Sequence, residues 1–186
     1  LRNMCVYVHS CIYRRRVIKV PLQPNGKQNV LLWREQGLGD EVMFASIISD
    51  LYAFCNKLIV VVDQRLIPLF KRSFPDSIDF RGPEEIVDDH EYDAHIPMGS
   101  LPLHFRQTID SFKSSCEGWL TACDLKTNNL RKKLLSDGSE ILIGVSWSSS
   151  KPRGGAEKKL ISLAKLAKQI QGPKIKLINL QYGEVD

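Results

Sequence analysis

The chain has 186 residues, of which 43% are apolar and 25% are charged, and its net charge is +5. This composition is typical of a globular protein and argues against intrinsic disorder, and the longest apolar run, residues 58–62, is far too short to span a membrane. Basic clusters such as residues 14–16 have no interleaved aromatic residue apart from Tyr13, so we expect a solvated surface and no nucleic-acid partner.

The length fits one domain and is too short for two complete nucleotide-binding domains, so we expect a fragment of a longer protein. The chain has five cysteines, Cys5, Cys11, Cys55, Cys116 and Cys123. Their odd number and their spacing argue against a disulfide framework and against a zinc site. A reducing, cytoplasmic location fits this pattern best.

The first predicted elements form a strand, a tight loop and a helix. Residues 1–20 are mixed and basic, and we expect them to connect to an upstream region. The apolar run at residues 29–33 predicts a strand, and a glycine-containing turn follows at residues 36–40. Apolar residues that recur every three or four positions then predict one continuous helix. Its buried face is expected to carry Phe44, Ile47, Ile48, Leu51 and Cys55.

The next segments continue this alternation. Residues 57–62 lack alternating polar side chains, as expected of a parallel strand covered on both faces. Asp63 is expected to cap a helix over residues 64–74. Two shorter strands and a helical stretch are then predicted at residues 77–80, 94–98 and 101–112. Strands and helices that alternate in this way predict an α/β fold with a Rossmann-like parallel sheet.

A domain boundary is predicted after a polar helix over residues 125–135. The first domain would cover residues 21–138. Residues 139–186 would be the truncated first β-α-β unit of a second Rossmann-like domain, or would extend the first sheet. In that unit we expect strands at residues 141–147 and 175–180, a loop at 148–159 and a helix at 160–170.

The first candidate site is the loop that joins the first predicted strand to its helix. Gly37 and Gly39 are expected to adopt positive φ and to let a ligand approach the backbone closely, near the free amides of the helix. The full dinucleotide fingerprint is absent because Val42 stands at the third glycine position. The acidic Asp40 and Glu41 are expected to repel a phosphate placed directly at the helix end.

Asp40 has two interpretations. As a structural residue, it would be the helix N-cap, which needs only a carboxylate at that place. As a functional residue, it would be a general base that takes the proton of an attacking hydroxyl. One carboxylate could serve both roles.

The second candidate site is the basic loop between the strand at residues 141–147 and the next helix. Ser146 and Trp147 stand at the carboxyl end of the strand, where open α/β sheets usually bind ligands. Arg153 with Lys158 or Lys159 would neutralise a bound diphosphate. The composition fits a flexible linker equally well.

The sequence contains little evidence for other kinds of catalytic site. His9, His90, His95 and His104 are scattered and are interpreted as ordinary loop or surface residues. The D-x-D carboxylate pair and the G-x-S-x-G nucleophile motif are both absent from the sequence. The sequence therefore predicts no metal and no cofactor.

Four motifs in order resemble a known family. They are LLWREQGLGDEVMFASIISDL at residues 31–51, HIPMGSLPLHFR at 95–106, GVSWSSS at 144–150 and NLQYG at 179–183. Together they resemble the glycosyltransferase-like region that follows tetratricopeptide repeats in many bacterial proteins, over roughly residues 20–186. That region is similar to the heptosyltransferases and, more distantly, to O-linked N-acetylglucosamine transferase.

The resemblance implies a GT-B architecture, with the acceptor bound on the first domain and the nucleotide-sugar on the second. It also implies that Asp40 is the catalytic base and that Lys159 contacts the donor phosphate, with Lys158 as the alternative. Because the region expected to hold the nucleotide base and ribose is missing, we expect no turnover by the isolated chain.

Three functions are compatible with these observations. The leading hypothesis is metal-independent transfer of a sugar from a nucleoside diphosphate to a hydroxyl of a protein or glycan. The second is a non-catalytic binding or scaffold module of a tetratricopeptide-repeat protein. The third is a regulator that binds a nucleotide without consuming a sugar.

Overall fold

A computed structural model describes residues 16–17, 28–112, 118–135, 141–147, 162–170 and 172–181. The chain divides into two compact units, Leu1–Ala122 and Cys123–Asp186. The division falls before the polar helix predicted at residues 125–135, which therefore groups with the second unit. The sequence had placed that helix at the end of the first domain.

The first unit is built on a parallel sheet. Its strands are β1 (Arg16–Val17), β2 (Gln28–Trp33), β3 (Cys55–Val61), β4 (Asp79–Arg81) and β5 (Ala94–Pro97). They lie in the order β1-β5-β2-β3-β4, and every neighbouring pair is parallel. The predicted α/β, Rossmann-like class is confirmed for this sheet.

Four short helices accompany the sheet. They are α1 (Leu38–Ala45), α2 (Ile48–Tyr52), α3 (Ile67–Ser73) and α4 (Leu101–Phe105), with 3₁₀ turns at Met98–Ser100 and Ile109–Ser111. Pro68 lies within the first two positions of α3, where a missing backbone N–H costs no helical hydrogen bond.

The central strands are buried on both faces. On β2, Val30 and Leu32 join the larger apolar cluster, whereas Leu31 and Trp33 join a second cluster on the opposite face. Because successive side chains of a strand point to opposite faces, a strand covered on both sides is apolar throughout. This is why the sequence predicted β2 and β3 well.

The helix predicted through Cys55 is wrong, because the chain breaks it in two. The Ser46 hydroxyl donates to the Met43 carbonyl oxygen at 2.7 Å, and the Ile47 amide donates to Phe44 O at 3.0 Å in a tighter turn. A serine hydroxyl that bonds a nearby carbonyl in this way competes with the helical ladder. Cys55 accordingly begins β3.

One further expectation is corrected. Asp63 does not cap a helix: its carboxylate accepts the Arg65 amide at 3.0 Å in a local turn, and α3 begins only at Ile67. Of residues 1–20 only Arg16–Val17 are described, and they pair with β5 as an edge strand.

The second unit contains the predicted β-α-β unit. Strands β6 (Ile141–Val145) and β7 (Ile175–Asn179) are parallel neighbours, and α6 (Leu163–Gln169) lies between them in the chain. The preceding α5 (Asp124–Leu134) is the predicted polar helix, and it has no buried residue.

A search of the described residues for membrane-spanning segments found no helix with the length and apolar character needed to cross a bilayer.

Candidate functional site

The sheet of the first unit reverses its strand order between β2 and β5. From β2 the chain moves outward through β3 to β4, and it then returns to add β5 on the other side of β2. Such a reversal opens a crevice at the carboxyl ends of the two central strands, and this is where open α/β sheets bind ligands. Residues 34–37 follow β2 and residues 98–100 follow β5, so both loops border this crevice.

The two loops meet at Gly99. A Cβ atom added at Gly99 would collide with the side chains of Glu35 and Gln36. Because these atoms are the ends of flexible side chains that could move aside, the contact shows that the loop after β2 lies beside the loop after β5, and it does not require glycine there.

Gly37 and Gly39 lie at the predicted place but in a different conformation. Gly37 is extended, with φ −80° and ψ 167°, and Gly39 lies inside α1 without a positive φ. The expected positive φ is wrong because Gly37 is the N-cap of α1, where extended backbone is the normal conformation. A Cβ atom added at Gly39 would meet no atom within 4 Å, so the surface beside it is open.

Asp40 is the third residue of α1 and not its N-cap. Its carboxylate reaches back to accept the Gly37 amide at 3.3 Å, which is one half of a capping box. Within the described part of the chain this is the only hydrogen bond of the Asp40 side chain, and the residue is partly exposed. Asp40 thus caps the helix and still presents a carboxylate at the rim of the crevice.

Unlike the partly exposed Asp40, Glu41 is only 1% exposed, because its side chain points into the protein. One carboxylate oxygen accepts Arg34 Nε at 2.6 Å, and the other accepts the Asp63 amide at 2.7 Å. The expectation that Glu41 repels a phosphate at the helix end is wrong, since its charge faces inward and is offset by Arg34.

Asp63 completes a charged cluster at the ends of β2 and β3. Its carboxylate binds Arg65 in a bidentate manner, at 2.8 and 3.0 Å, and lies 3.7 Å from Arg34 Nη2. The hydrogen bonds from the Arg65 side chain and backbone, followed by the charges of Arg65 and Arg34, hold the pKa of Asp63 well below its usual range. Together with Glu41, the cluster has two basic side chains, Arg34 and Arg65, and two acidic side chains, Glu41 and Asp63, so their formal charges cancel.

Arg34 and Glu41 are site residues that the sequence interpretation missed. One signal was available, because Glu41 precedes Ala45 by four residues and so shares the buried face of α1. A charged residue on that face needs a partner, but nothing in the sequence shows that the partner is Arg34.

The second predicted site is described only in part. Ser146 and Trp147 follow β6, and both bind the side-chain oxygen of Gln181, which follows the neighbouring β7. The Ser146 hydroxyl donates to it at 3.2 Å and the Trp147 amide at 3.0 Å. Gln181 was missed by the sequence interpretation. Arg153, Lys158 and Lys159 lie outside the described residues.

The histidines and cysteines do not form a metal site among the described residues. His95 is not a loop or surface residue as expected: it is buried in β5 and accepts Trp33 Nε1 at 3.1 Å on its Nδ1. The Nδ1 atom of His104 is buried without a hydrogen-bond partner among the residues that the structure describes, and burial lowers the pKa of its ring. Cys55 and Cys123 are free thiols, and burial raises the pKa of Cys55 to about 12.

The chain is similar to Protein FlbA of Caulobacter vibrioides. The two sequences are 25% identical over 174 residues, which cover 86% of this chain. The match covers only 29% of FlbA, so the chain spans less than a third of that protein's length. No protein-family model and no solved structure matches the chain.

Proposed function

We propose that this chain is the glycosyltransferase-like part of a GT-B protein, and that the full-length protein transfers a sugar from a nucleoside diphosphate to a hydroxyl acceptor without a metal. The main support is the position of the Gly37–Asp40 loop beside the crevice where the sheet order reverses. A partly exposed carboxylate lies there, next to a glycine with open space around it.

In this proposal Asp40 is the general base. As the acceptor oxygen attacks the anomeric carbon, its proton passes to the Asp40 carboxylate. The bond from that carbon to the diphosphate oxygen breaks at the same time, and the diphosphate leaves with the bonding electrons. The Gly37 amide binds Oδ2 of Asp40, which orients the carboxylate and leaves Oδ1 to accept the proton.

The second unit would bind the donor. Ser146 and Trp147 lie at the carboxyl ends of two parallel strands, which is the usual ligand edge of such a sheet. The following loop supplies Arg153 and Lys159, with Lys158 as the alternative, to offset the charge that develops on the leaving diphosphate. A cytoplasmic location belongs to the same proposal, and the free thiols of Cys55 and Cys123 fit a reducing compartment.

The test is a titration of the full-length protein with UDP-, GDP- and ADP-sugars, together with an assay for sugar transfer. We expect Asp40→Asn to retain donor binding but to lose about a hundredfold or more in transfer rate, because the amide cannot take the proton. Lys159→Ala should weaken donor binding about tenfold. Asp76→Asn removes another exposed carboxylate, outside the crevice loops, and should change neither property.

Unaltered binding and transfer in both site variants would overturn the assignment. One observation favours a non-catalytic module as the second candidate, because helix capping alone accounts for the hydrogen bond between Asp40 and Gly37. A wild-type protein that binds none of the three donors and transfers no sugar would support that module.

A further inference from the structure

Glu41 is a buried carboxylate that the proposed reaction does not use. It is almost completely shielded from solvent, and both of its oxygens accept hydrogen bonds, from Arg34 Nε and from the Asp63 amide. A buried charge is tolerated only when it is paired and fully hydrogen-bonded, and Glu41 meets both conditions.

The partners of Glu41 come from two neighbouring strands. Arg34 directly follows β2, whereas Asp63 lies just beyond the end of β3. A single carboxylate in the first turns of α1 therefore ties the start of that helix to the carboxyl ends of both strands.

Among the described residues, the other hydrogen bonds of the Gly37–Asp40 loop are local. Gly37 accepts the Glu41 amide at 3.0 Å on its carbonyl oxygen and donates its own amide to Asp40 at 3.3 Å. Both bonds join the loop to its own helix and would move with it. The two bonds of the Glu41 side chain are the ones that reach across to the strand ends.

We propose that Glu41 is a positioning residue, which acts through Arg34 and the Asp63 amide to hold the neighbouring Asp40 in place for proton transfer. This inference rests on the proposed function of Asp40. The Gly37 amide holds the Asp40 carboxylate only within the loop and its own helix, so the position of Asp40 relative to the strand ends depends on the two hydrogen bonds of Glu41.

Glu41→Gln is the informative variant. The side chain keeps its size, but one oxygen becomes an NH₂ group that must face either Arg34 Nε–H or the Asp63 amide. Both of those groups are donors, so one of the two bonds is lost. Glu41→Asp keeps the charge but is one methylene shorter, and it should show a weaker form of the same effect.

Glu91 offers a matched control. Its carboxylate also binds an arginine and a backbone amide, with Arg81 at 2.5 and 2.9 Å and the Asp88 amide at 3.1 Å. It lies in the connection before β5 and contacts neither crevice loop through these bonds. Glu91 is more exposed, at 20%, and also lies 3.7 Å from Lys57, but Glu91→Gln perturbs the same kind of carboxylate–arginine–amide arrangement without touching the loop of Asp40.

The experiment measures hydrogen exchange of the α1 amides at residues 41–45, which are bonded within the helix, and the steady-state kinetics of sugar transfer, both in the full-length protein. For Glu41→Gln we expect exchange of this segment to rise about tenfold relative to β2 and β3, with kcat reduced and KM within about twofold of the wild type. Glu91→Gln should change neither the relative exchange nor kcat.

Two results would overturn the inference: unchanged exchange at residues 41–45, or an equal rise throughout the unit, which would mean a general loss of stability. If Glu41→Gln does not fold, Glu41→Asp is measured against the same criteria. If the wild type transfers no sugar, the proposed function fails but the exchange result still decides whether Glu41 holds the loop.

Discussion

At the scale of single residues, Gly39→Ala should change protein stability and ligand affinity in opposite directions. Gly39 lies in the first turn of α1, and, apart from that helix's own backbone and its chain neighbours, an added methyl group would meet no atom of the described residues within 4 Å. Because alanine has a higher helix propensity, Gly39→Ala should raise the free energy of unfolding by about 0.5 kcal/mol, measured in urea. The proposed function puts the acceptor beside this loop, so the same methyl group should lower affinity for the acceptor.

Gly118→Ala is the control for this substitution. Gly118 also has no atom within 4 Å of an added Cβ, and it lies outside the two crevice loops. Its substitution should leave affinity unchanged. Wild-type affinity in Gly39→Ala would show that no ligand approaches α1 at this residue.

Asp40 and Glu41 show what the sequence can and cannot reveal about individual residues. Adjacent carboxylates look alike in the sequence, and only the helical spacing to Ala45 indicates that Glu41 faces inward. The partners Arg34 and Asp63 are brought to Glu41 by the pairing of β2 with β3. No local pattern could have identified them, because strand pairing is a long-range property.

At the scale of elements, aromatic side chains pack α3 against the sheet and against the segment that begins at residue 118. Phe70 is fully buried and packs against Phe74, Phe80 and Trp119, with ring centroids 5.8 to 6.0 Å apart. Phe70→Ala should lower the free energy of unfolding by about 3 to 5 kcal/mol, because it leaves a cavity and removes these ring contacts.

Phe112→Ala is the comparison for the aromatic cluster. Phe112 is 61% exposed, and the guanidinium of Arg106 lies 5.9 Å from its ring centroid. Its loss should cost about 1 kcal/mol or less. An equal cost for the two substitutions, measured by denaturant unfolding, would contradict the burial assigned to Phe70.

The elements differ in how well the sequence predicted them, and the reason is physical. Continuous apolar runs identified β2 and β3 because both strands are buried on both faces. The division between α1 and α2 was missed because apolar spacing continues across Ser46, whose hydroxyl turns the chain. The edge strand β1 has only two residues and carries no periodic signal.

At the scale of the whole molecule, alternation of strands and helices was enough to predict the class of fold, and the limits of the two domains stay a prediction. The chain divides at Ala122, before α5, whereas the weakening pattern suggested a boundary at residue 138. Because α5 is a polar helix without buried residues, it has no apolar face in the sequence that would indicate the unit to which it belongs. The basic loop with Arg153, Lys158 and Lys159 stays a prediction.

The central claim is that ligands bind at the carboxyl edge of the parallel sheet, where residues 35–40 meet residues 98–100. A competing place exists at the amino end of β4, where a cavity of about 400 Å³ is lined by Lys71 and residues 75–80.

Hydrogen-exchange footprinting of the full-length protein with glycan and peptide acceptors, in the presence of UDP, GDP or ADP, distinguishes the two places most directly. We predict that an acceptor which binds slows exchange at residues 35–40 and 98–100 and leaves residues 75–80 unchanged. Protection at residues 75–80 without protection at residues 35–40 would contradict the claim.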